Sequence, residues 1–463
     1  MSMRILYIGA GYVGACSAAV TADSGHDVLV YDTDEKKIGM LSSGDHAKIE
    51  ARLFEKGLAD ILTRNKDRIA FTADYGAVRH FLDKCDAIFL CLPTPELGES
   101  GESDLCFFNA AVEKLAQAMA RRNRGRQSKY IVVVIKSTVP IAAADATVKI
   151  FAKAGAVNFG VAGNPEFLVA GKAVGDSLKP SRVVIGAWHE RDFKIMRKVY
   201  QRFYDSASVQ YIEVNPKEAA AGKLLANYYL YNKLMQCFDA AGRVSESFSD
   251  IKFENLKKIL TGDQRLGAGD WGFYNSLYCG GSCFIKDSRS LAHQLRAAGQ
   301  NTALIDSVDK ANKRQLKIFL ARAEKEAGFN WQGKSVAILG LAFKRDTNDA
   351  RHSPAAEIIK FLRSKVKKFF LYDPAAMPNF QSLYPREPKA IYASSELAAV
   401  GRAEALIIAT DWPVFHGLAD YLLAQKKHPL IMDGRRLLQN RYDDLQRAGF
   451  NIIAVGSPFF KAI

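Results

Sequence analysis

Residues 4 to 32 limit the choice of folds more than any other stretch of the chain. Arg4–Ile8 is an apolar run, and Gly9-Ala10-Gly11-Tyr12-Val13-Gly14 follows it at once. A helical pattern then runs to about Ser24, and a second apolar run, Asp27–Tyr31, ends in Asp32. Strand, glycine turn, helix, strand and acid in this order specify a βαβ unit on a parallel sheet. The first glycine makes the tight turn and the second admits a pyrophosphate. The third lets helix pack on strand, and the helix N-terminus offers free N–H groups to the phosphates. Asp32 falls where a carboxylate binds the ribose hydroxyls of NAD and disfavours the extra phosphate of NADP. A glycine triad alone is weak evidence, since a packing turn would share it. The full context points to NAD as cofactor.

The alternation continues. Asp86–Leu92 reads as a strand ending in Pro93-Thr94-Pro95, and Tyr130–Ile135 as one ending in Lys136-Ser137-Thr138-Val139-Pro140. Ala156–Ala162 leads into Asn164-Pro165-Glu166-Phe167-Leu168. Ligands of open α/β sheets bind outside the carboxyl ends of the strands, so Thr94, Thr138 and Glu166 are candidate site residues. Each also suits a turn or cap. From about Pro216 to Gln300 the pattern turns helical. Glu218–Arg243 carries Lys223 and Asn227 at i, i+4 on one face, a spacing that a solvated lysine and an incidental asparagine would also show. Leu304–Glu326 is helical again, with Asn312 and Gln315 a turn apart.

A second α/β unit begins near Trp331. Its strands are Ser335–Leu339, followed by Gly340-Leu-Ala-Phe-Lys344, then Phe369–Tyr372 ending in Asp373, Ala405–Ala409 ending in Thr410-Asp411, and Pro429–Met432 ending in Asp433-Gly-Arg435-Arg436. It lacks the glycine triad, so a different ligand is expected, with Lys344 and Arg435 placed to meet phosphates. The expected fold is α/β: Rossmann-like parallel-sheet domains over residues 1–215 and 326–463, joined by a helical segment over 216–325.

Cys279-Gly280-Gly281-Ser282-Cys283-Phe284-Ile285-Lys286-Asp287 is the stretch richest in chemistry. A helix beginning near Phe284 puts Cys283 at its N-terminus, where the helix end and a lysine lower a thiol's pKa. Asp287 then lies one turn on, on the sulfur's face. A buried cysteine in a glycine turn is the plainer reading of a lone cysteine.

The 463 residues hold two or three domains, and 48% hydrophobic with 24% charged residues is ordinary for a soluble globular protein. The net charge of +15 suits anionic ligands. Its densest cluster, Arg121–Arg126, reads as a solvated loop, and no zinc finger, RNA-binding aromatic motif or basic zipper accompanies it, so nucleic acid is not expected. Seven cysteines, an odd number without metal-ligand spacing, suggest free thiols, a reducing cytoplasm and no metal site. The opening runs straight into a strand without a signal-peptide cleavage pattern. No apolar run approaches the roughly 18 residues of a membrane helix, so no membrane is expected either.

Taken in order, Gly9–Gly14, Pro93-Thr94-Pro95, Ser137-Thr138-Val139-Pro140, Asn164–Leu168, Gly280–Asp287 and Leu339–Lys344 resemble the UDP-glucose and GDP-mannose dehydrogenases over essentially the whole chain. The resemblance implies a four-electron oxidation of a nucleotide sugar at C6 to its uronic acid, using two NAD+ in turn. The Asn-Pro-Glu-Phe-Leu form favours this branch over the related UDP-N-acetylmannosamine enzymes, and within it the resemblance is greatest to the enzymes that turn UDP-glucose into UDP-glucuronate. It further implies that the Cys283 thiolate traps the aldehyde and carries a thioester. Lys223 and Asn227 would hold the oxyanion, and Asp287, Glu166 and Thr138 would position water and move protons. Asp32, Lys37, Thr94, Thr138, Lys286 and Arg351 would contact NAD together with the glycine turn. Gly280 and Lys344 would contact the nucleotide sugar, beside Glu166, Phe167, Leu168, Lys223, Asn227 and Arg435. Arg265 resembles an arginine that reaches a neighbour's site across a homodimer.

This chain departs from the family pattern at several places. Ala170 stands where a second glutamate is usual, Tyr278 and Cys279 replace a glycine and an aromatic residue, and Ile285 replaces a proline. His352 replaces a glutamate, and the Gly267–Leu277 loop is slightly longer. Because the altered loop touches the expected sugar pocket, another nucleotide sugar (GDP-mannose or a UDP-hexosamine) is an alternative substrate. A catalytically silent sensor of NAD or nucleotide sugar is an alternative of a different class.

Overall fold

The computed structural model describes residues 2–123, 128–267, 269–385 and 387–463. The chain divides into two compact units, Met1–Ala226 with Arg289–Gln300, and Asn227–Ser288 with Asn301–Ile463.

The first unit is built on an eight-stranded sheet: β1 (Arg4–Ile8), β2 (Asp27–Tyr31), β3 (Ile69–Thr72), β4 (Ala87–Leu90), β5 (Ile131–Ile135), β6 (Phe159–Gly163), β7 (Arg182–Gly186) and β8 (Gln210–Val214). The spatial order is β3-β2-β1-β4-β5-β6-β7-β8. The strands from β1 to β6 pair in parallel, β7 meets β6 antiparallel through Gly163 and Gly186, and β8 runs parallel to β7. The order reverses between β1 and β4, which opens a crevice at their carboxyl ends. Strands covered on both faces must be apolar, and β1, β2, β4 and β5 are so apart from Arg4 and Asp27 at their starts, whereas the edge strand β8 is largely exposed. Leu6, Leu29, Ile88, Leu90, Ile131 and Val133 pack on one face. Their neighbours Ile5, Tyr7, Val28, Val30, Phe89, Val132 and Val134 pack on the other. Each such side chain contributes about 1.5–3 kcal/mol on burial. The helix α1 (Tyr12–Asp23) crosses from β1 to β2 as the glycine turn requires.

The second unit carries a six-stranded sheet of β9 (Ser335–Leu339), β10 (Lys368–Tyr372), β11 (Ala390–Tyr392), β12 (Ala405–Ile408), β13 (Leu430–Asp433) and β14 (Ile452–Ala454). It is parallel throughout, in the order β11-β10-β9-β12-β13-β14. The dinucleotide topology is therefore repeated without the glycine triad.

The helical segment holds α2 (Pro216–Met235), α3 (Phe284–Ala297) and α4 (Ala303–Lys325). The continuous helix expected over Glu218–Arg243 is instead interrupted. Gln236–Ala241 winds as a π-helix before the α-helix resumes at Gly242–Ser247. Hydrophobic spacing does not distinguish an i→i+5 turn from an i→i+4 turn, so the sequence pattern carried no sign of it. Of the basic cluster, Arg121–Asn123 ends a helix, while residues 124–127 lie outside the described residues. Among the described residues no helix is long and apolar enough to cross a membrane, and no group of three or more His, Cys, Asp or Glu is placed to hold a metal.

Candidate active site

In the first unit the glycine turn folds against the end of β4. Gly9 has φ +103°, and a Cβ there would lie 2.2 Å from the carbonyl oxygen of Cys91. A Cβ on Gly14 would lie 1.9 Å from the carbonyl oxygen of Gly9. Both positions exclude any larger residue. Gly11, the N-cap of α1, is different: a Cβ there would meet no heavy atom within 4 Å. The space beside the helix N-terminus is thus open where the fingerprint puts the pyrophosphate, so the residues fit NAD. Tyr12 and Val13 begin α1 behind it. The Asp32 carboxylate accepts from Ala10 N at 2.7 Å and Asp34 N at 3.0 Å, and pairs with Lys37 Nζ at 2.9 Å. It is half-buried, and through Ala10 N it braces the glycine turn.

The strand ends beyond β4 and β5 are stitched together. Thr94 Oγ1 donates to Thr138 O at 2.6 Å. Ser137 Oγ accepts from Leu92 N and donates to Leu92 O, both at 2.8 Å. Beyond β6, Glu166 is 9% exposed and pairs through Oε1 with Lys223 Nζ at 3.2 Å. Its Oε2 accepts from Leu168 N at 2.6 Å, which fixes the carboxylate's direction. Phe167 lies under the Arg182 guanidinium at 3.7 Å, with Lys223 Nζ 5.2 Å from its ring. Thr138 and Lys223 share the lining of a small cavity with Pro165 and Ala220.

In the second unit Cys283 is exposed and immediately precedes α3, as the sequence predicts. Asp287 N donates to Cys283 O at 2.8 Å, which makes this the first helical turn. The Asp287 carboxylate is 1% exposed and receives Asn227 Nδ2 at 2.5 Å and Lys286 Nζ at 2.6 Å. A buried carboxylate is tolerated only when paired and hydrogen-bonded in this way. Cys279, four residues earlier, is buried, and burial pushes its thiol up to about 12. The two cysteines are therefore chemically unlike.

The loop before Cys283 is held by two side chains that sequence reasoning noticed without assigning a role. Asn312 accepts from Cys279 N at 2.8 Å and donates to Cys279 O at 2.9 Å, while Gln315 Nε2 donates to Ser276 O at 3.0 Å. Their spacing, one turn apart on α4, was the only signal. Gly280 has a packing reason of its own, because a Cβ there would lie 2.5 Å from His352 O. Arg435 pairs with Asp411 at 2.9 Å and stacks over Tyr274 at 5.4 Å. Lys344 Nζ lies 5.9 Å from the Phe343 ring. Arg351 is held bidentately by Asp349, and Arg265, 89% exposed, by Asp263.

The second sheet repeats the tight turn but offers no free carboxylate at the position of Asp32. At its equivalent turn, a Cβ on Gly340 would lie 2.3 Å from the Thr410 Cβ. The Asp373 carboxylate, at the position of Asp32, receives Leu341 N, Ala342 N and Trp412 Nε1 on one oxygen, and Ala375 N and Ala376 N on the other. Five donors saturate it, and none of its surface is exposed.

Three domain descriptions of one known family match the chain. The NAD-binding domain of the UDP-glucose/GDP-mannose dehydrogenase family matches residues 3–204, its central domain residues 217–314, and its UDP-binding domain residues 337–440. A UDP-glucose 6-dehydrogenase of Rickettsia bellii is 31% identical over 98% of this chain and 100% of its own length. One of Haloferax volcanii is 33% identical, covering 95% of this chain and 98% of its own. The solved UDP-glucose dehydrogenase of Pyrobaculum islandicum superposes with a TM-score of 0.83 at 28% identity, covering 95% of this chain and 96% of that one.

Proposed function

The chain belongs to the UDP-glucose/GDP-mannose dehydrogenase family, an NAD-dependent nucleotide-sugar dehydrogenase, and from that premise we propose that it oxidises UDP-glucose at C6 to UDP-glucuronate through a covalent Cys283 intermediate. The observation that carries this reading is the exposed Cys283 at the start of α3, with the buried Asp287 one turn on in the grip of Asn227 and Lys286. A helix N-terminus and a neighbouring lysine favour thiolate. A two-electron alcohol dehydrogenase has no use for such a group.

Two NAD+, bound one after the other, would each accept one hydride, one for each oxidation. The Glu166–Lys223 pair takes the proton leaving the C6 hydroxyl. Cys283 Sγ, as thiolate, then adds to the aldehyde carbon and forms the C–S bond of a thiohemiacetal. Lys223 and Asn227, four residues apart on α2, donate to the oxygen that becomes negative. Loss of the remaining C6 hydride leaves a thioester on Sγ. Thr138, Glu166 and Asp287 position a water and take its proton. The water oxygen bonds to C6, the C–S bond breaks, and the sulfur leaves as thiolate while the carboxylate is released.

In this reading residues 1–215 form the NAD-binding domain, 216–325 a central helical domain with the cysteine loop, and 326–463 the domain that binds the UDP-sugar. Asp32, Lys37, Thr94, Lys286 and Arg351 serve the cofactor, and Gly280, Lys344 and Arg435 the nucleotide. The exposed Arg265 serves the site of a second copy in a homodimer, in the cytoplasm. The test is a panel of UDP-glucose, GDP-mannose, UDP-N-acetylglucosamine and UDP-N-acetylmannosamine, with products identified by chromatography. UDP-glucuronate as the main product is expected. Preferential turnover of another sugar overturns the substrate, and no turnover by protein that binds NADH overturns the catalytic reading.

A further inference from the structure

Lys136 ends β5 with a side chain only 7% exposed. Its Nζ donates to Asn164 Oδ1 at 3.0 Å. Asn164 is fixed from two other directions, since Tyr200 OH donates to the same oxygen at 2.6 Å and Asn164 Nδ2 donates to Val184 O at 2.9 Å. Among the described residues no carboxylate lies within ion-pairing distance of Lys136, so this is a buried cation tethered by a neutral amide. Burying a lysine without a direct counter-charge is costly, and a lysine perturbed in this way beside a cavity is a candidate functional position. Burial pushes the Lys136 ammonium below its ordinary value; Cys91 and Glu166 pull it back up, and Lys223 pushes it down. Those three, from the end of β4, the loop after β6 and α2, face it together with the Tyr200 hydroxyl on the shared Asn164 oxygen. Lys136, Glu166 and Tyr200 also border one cavity of about 240 Å³, with Asn164 and Phe167 in its wall.

We propose that Lys136 is a positioning residue for the Glu166–Lys223 pair, its tethered cation favouring release of the proton that the pair handles during turnover. The inference rests on the assignment of that pair to the reaction. The sign follows from charge: a cation beside the pair makes proton loss easier, and its removal makes the pair hold its proton to higher pH. Asn164 holds the ammonium off the carboxylate, so Lys136 biases Glu166 without replacing Lys223 as its partner.

The test is kcat against pH for wild type, Lys136→Gln and Tyr200→Phe, at saturating NAD+ and sugar nucleotide. Glutamine removes the charge but keeps an N–H donor for Asn164, and Tyr200→Phe disturbs Asn164 without removing a charge. The limb on which activity rises with pH is expected to move up by about one pH unit in Lys136→Gln. It stays in place in Tyr200→Phe, and KM changes less than about twofold. Lys136→Met substitutes if the glutamine variant does not fold. An unmoved limb in a folded, charge-free variant overturns the inference, as does an equal movement in Tyr200→Phe. Lys223→Ala and Glu166→Gln are run beside them. If either retains the wild-type rate, the assignment of the pair fails and this inference with it; if both are impaired and the limb is unmoved, the inference alone fails.

Discussion

Gly11 and Gly14 belong to one turn, yet substituting them should have opposite consequences. An alanine at 14 places its Cβ 1.9 Å from the Gly9 carbonyl oxygen and 3.1 Å from the Cys91 Cβ. The first contact is about 1.5 Å short of ordinary separation. The nearer neighbour is backbone and cannot swing aside as a flexible side chain could, so α1 must move away from β1. Overpacking of this kind costs about 1–3 kcal/mol, a loss of several degrees in melting temperature. NADH affinity falls as a consequence of the displaced helix. At 11 the backbone is at φ −68°, open to any residue, and the new Cβ meets nothing within 4 Å. Gly11→Ala therefore leaves the melting temperature within about 1 °C of wild type. It does put a methyl group where the pyrophosphate must approach the helix N-terminus, and NADH binding weakens by about tenfold or more, about 1.4 kcal/mol. Differential scanning fluorimetry and NADH fluorescence titration on both variants decide it. Gly11→Ala binding NADH like wild type would refute the placement of the pyrophosphate, and an unperturbed Gly14→Ala would refute the packing argument.

Other residues carry independent tests. Only thiolates alkylate, so brief iodoacetamide treatment at neutral pH should label Cys283 and spare Cys279, whose thiol burial holds at about 12; peptide mass spectrometry reads this directly. Asn312→Ala strips a buried N–H and C=O of Cys279 of their partners, each loss costing about 1–3 kcal/mol, and steady-state kinetics should show kcat reduced by about tenfold or more at unchanged NADH affinity. Asp192 is fully buried, accepts from Tyr130 OH at 2.8 Å and has its other oxygen unpaired; burial raises its pKa against the pull of Tyr130, His189 and Arg191. An acid raised in the folded state destabilises progressively as pH climbs above its ordinary value of 3.8, so the stability of Asp192→Asn relative to wild type should grow as pH rises above 3.8 in urea titrations.

Much of the fold was legible because buried parallel strands must be apolar on both faces. Ser335–Leu339 and Arg4–Ile8 could be bounded from sequence for that reason, and Cys283 could be placed at a helix start from the pattern that follows it. Side-chain partnerships across distant segments were not legible. Asn312 lies 33 residues from the backbone it holds, and Asn227 lies 60 from Asp287. Lys136 stood in view within a quoted motif, but nothing in its neighbours reveals that it is buried. Asp373 looked equivalent to Asp32, and only the five donors that converge on it separate the two. The short antiparallel contact of β6 with β7 leaves no signature because the chain uses ordinary apolar runs on either side of it.

The claim at the centre of this account is that one cysteine lets the chain carry out two successive oxidations. NADH formed per UDP-glucose consumed, measured beside Cys283→Ala, tests it most directly. Two NADH per sugar in wild type, with turnover lost in a variant that still binds NADH, is the predicted result. A single NADH per sugar, or a Cys283→Ala enzyme that still yields two at the wild-type rate, would contradict it.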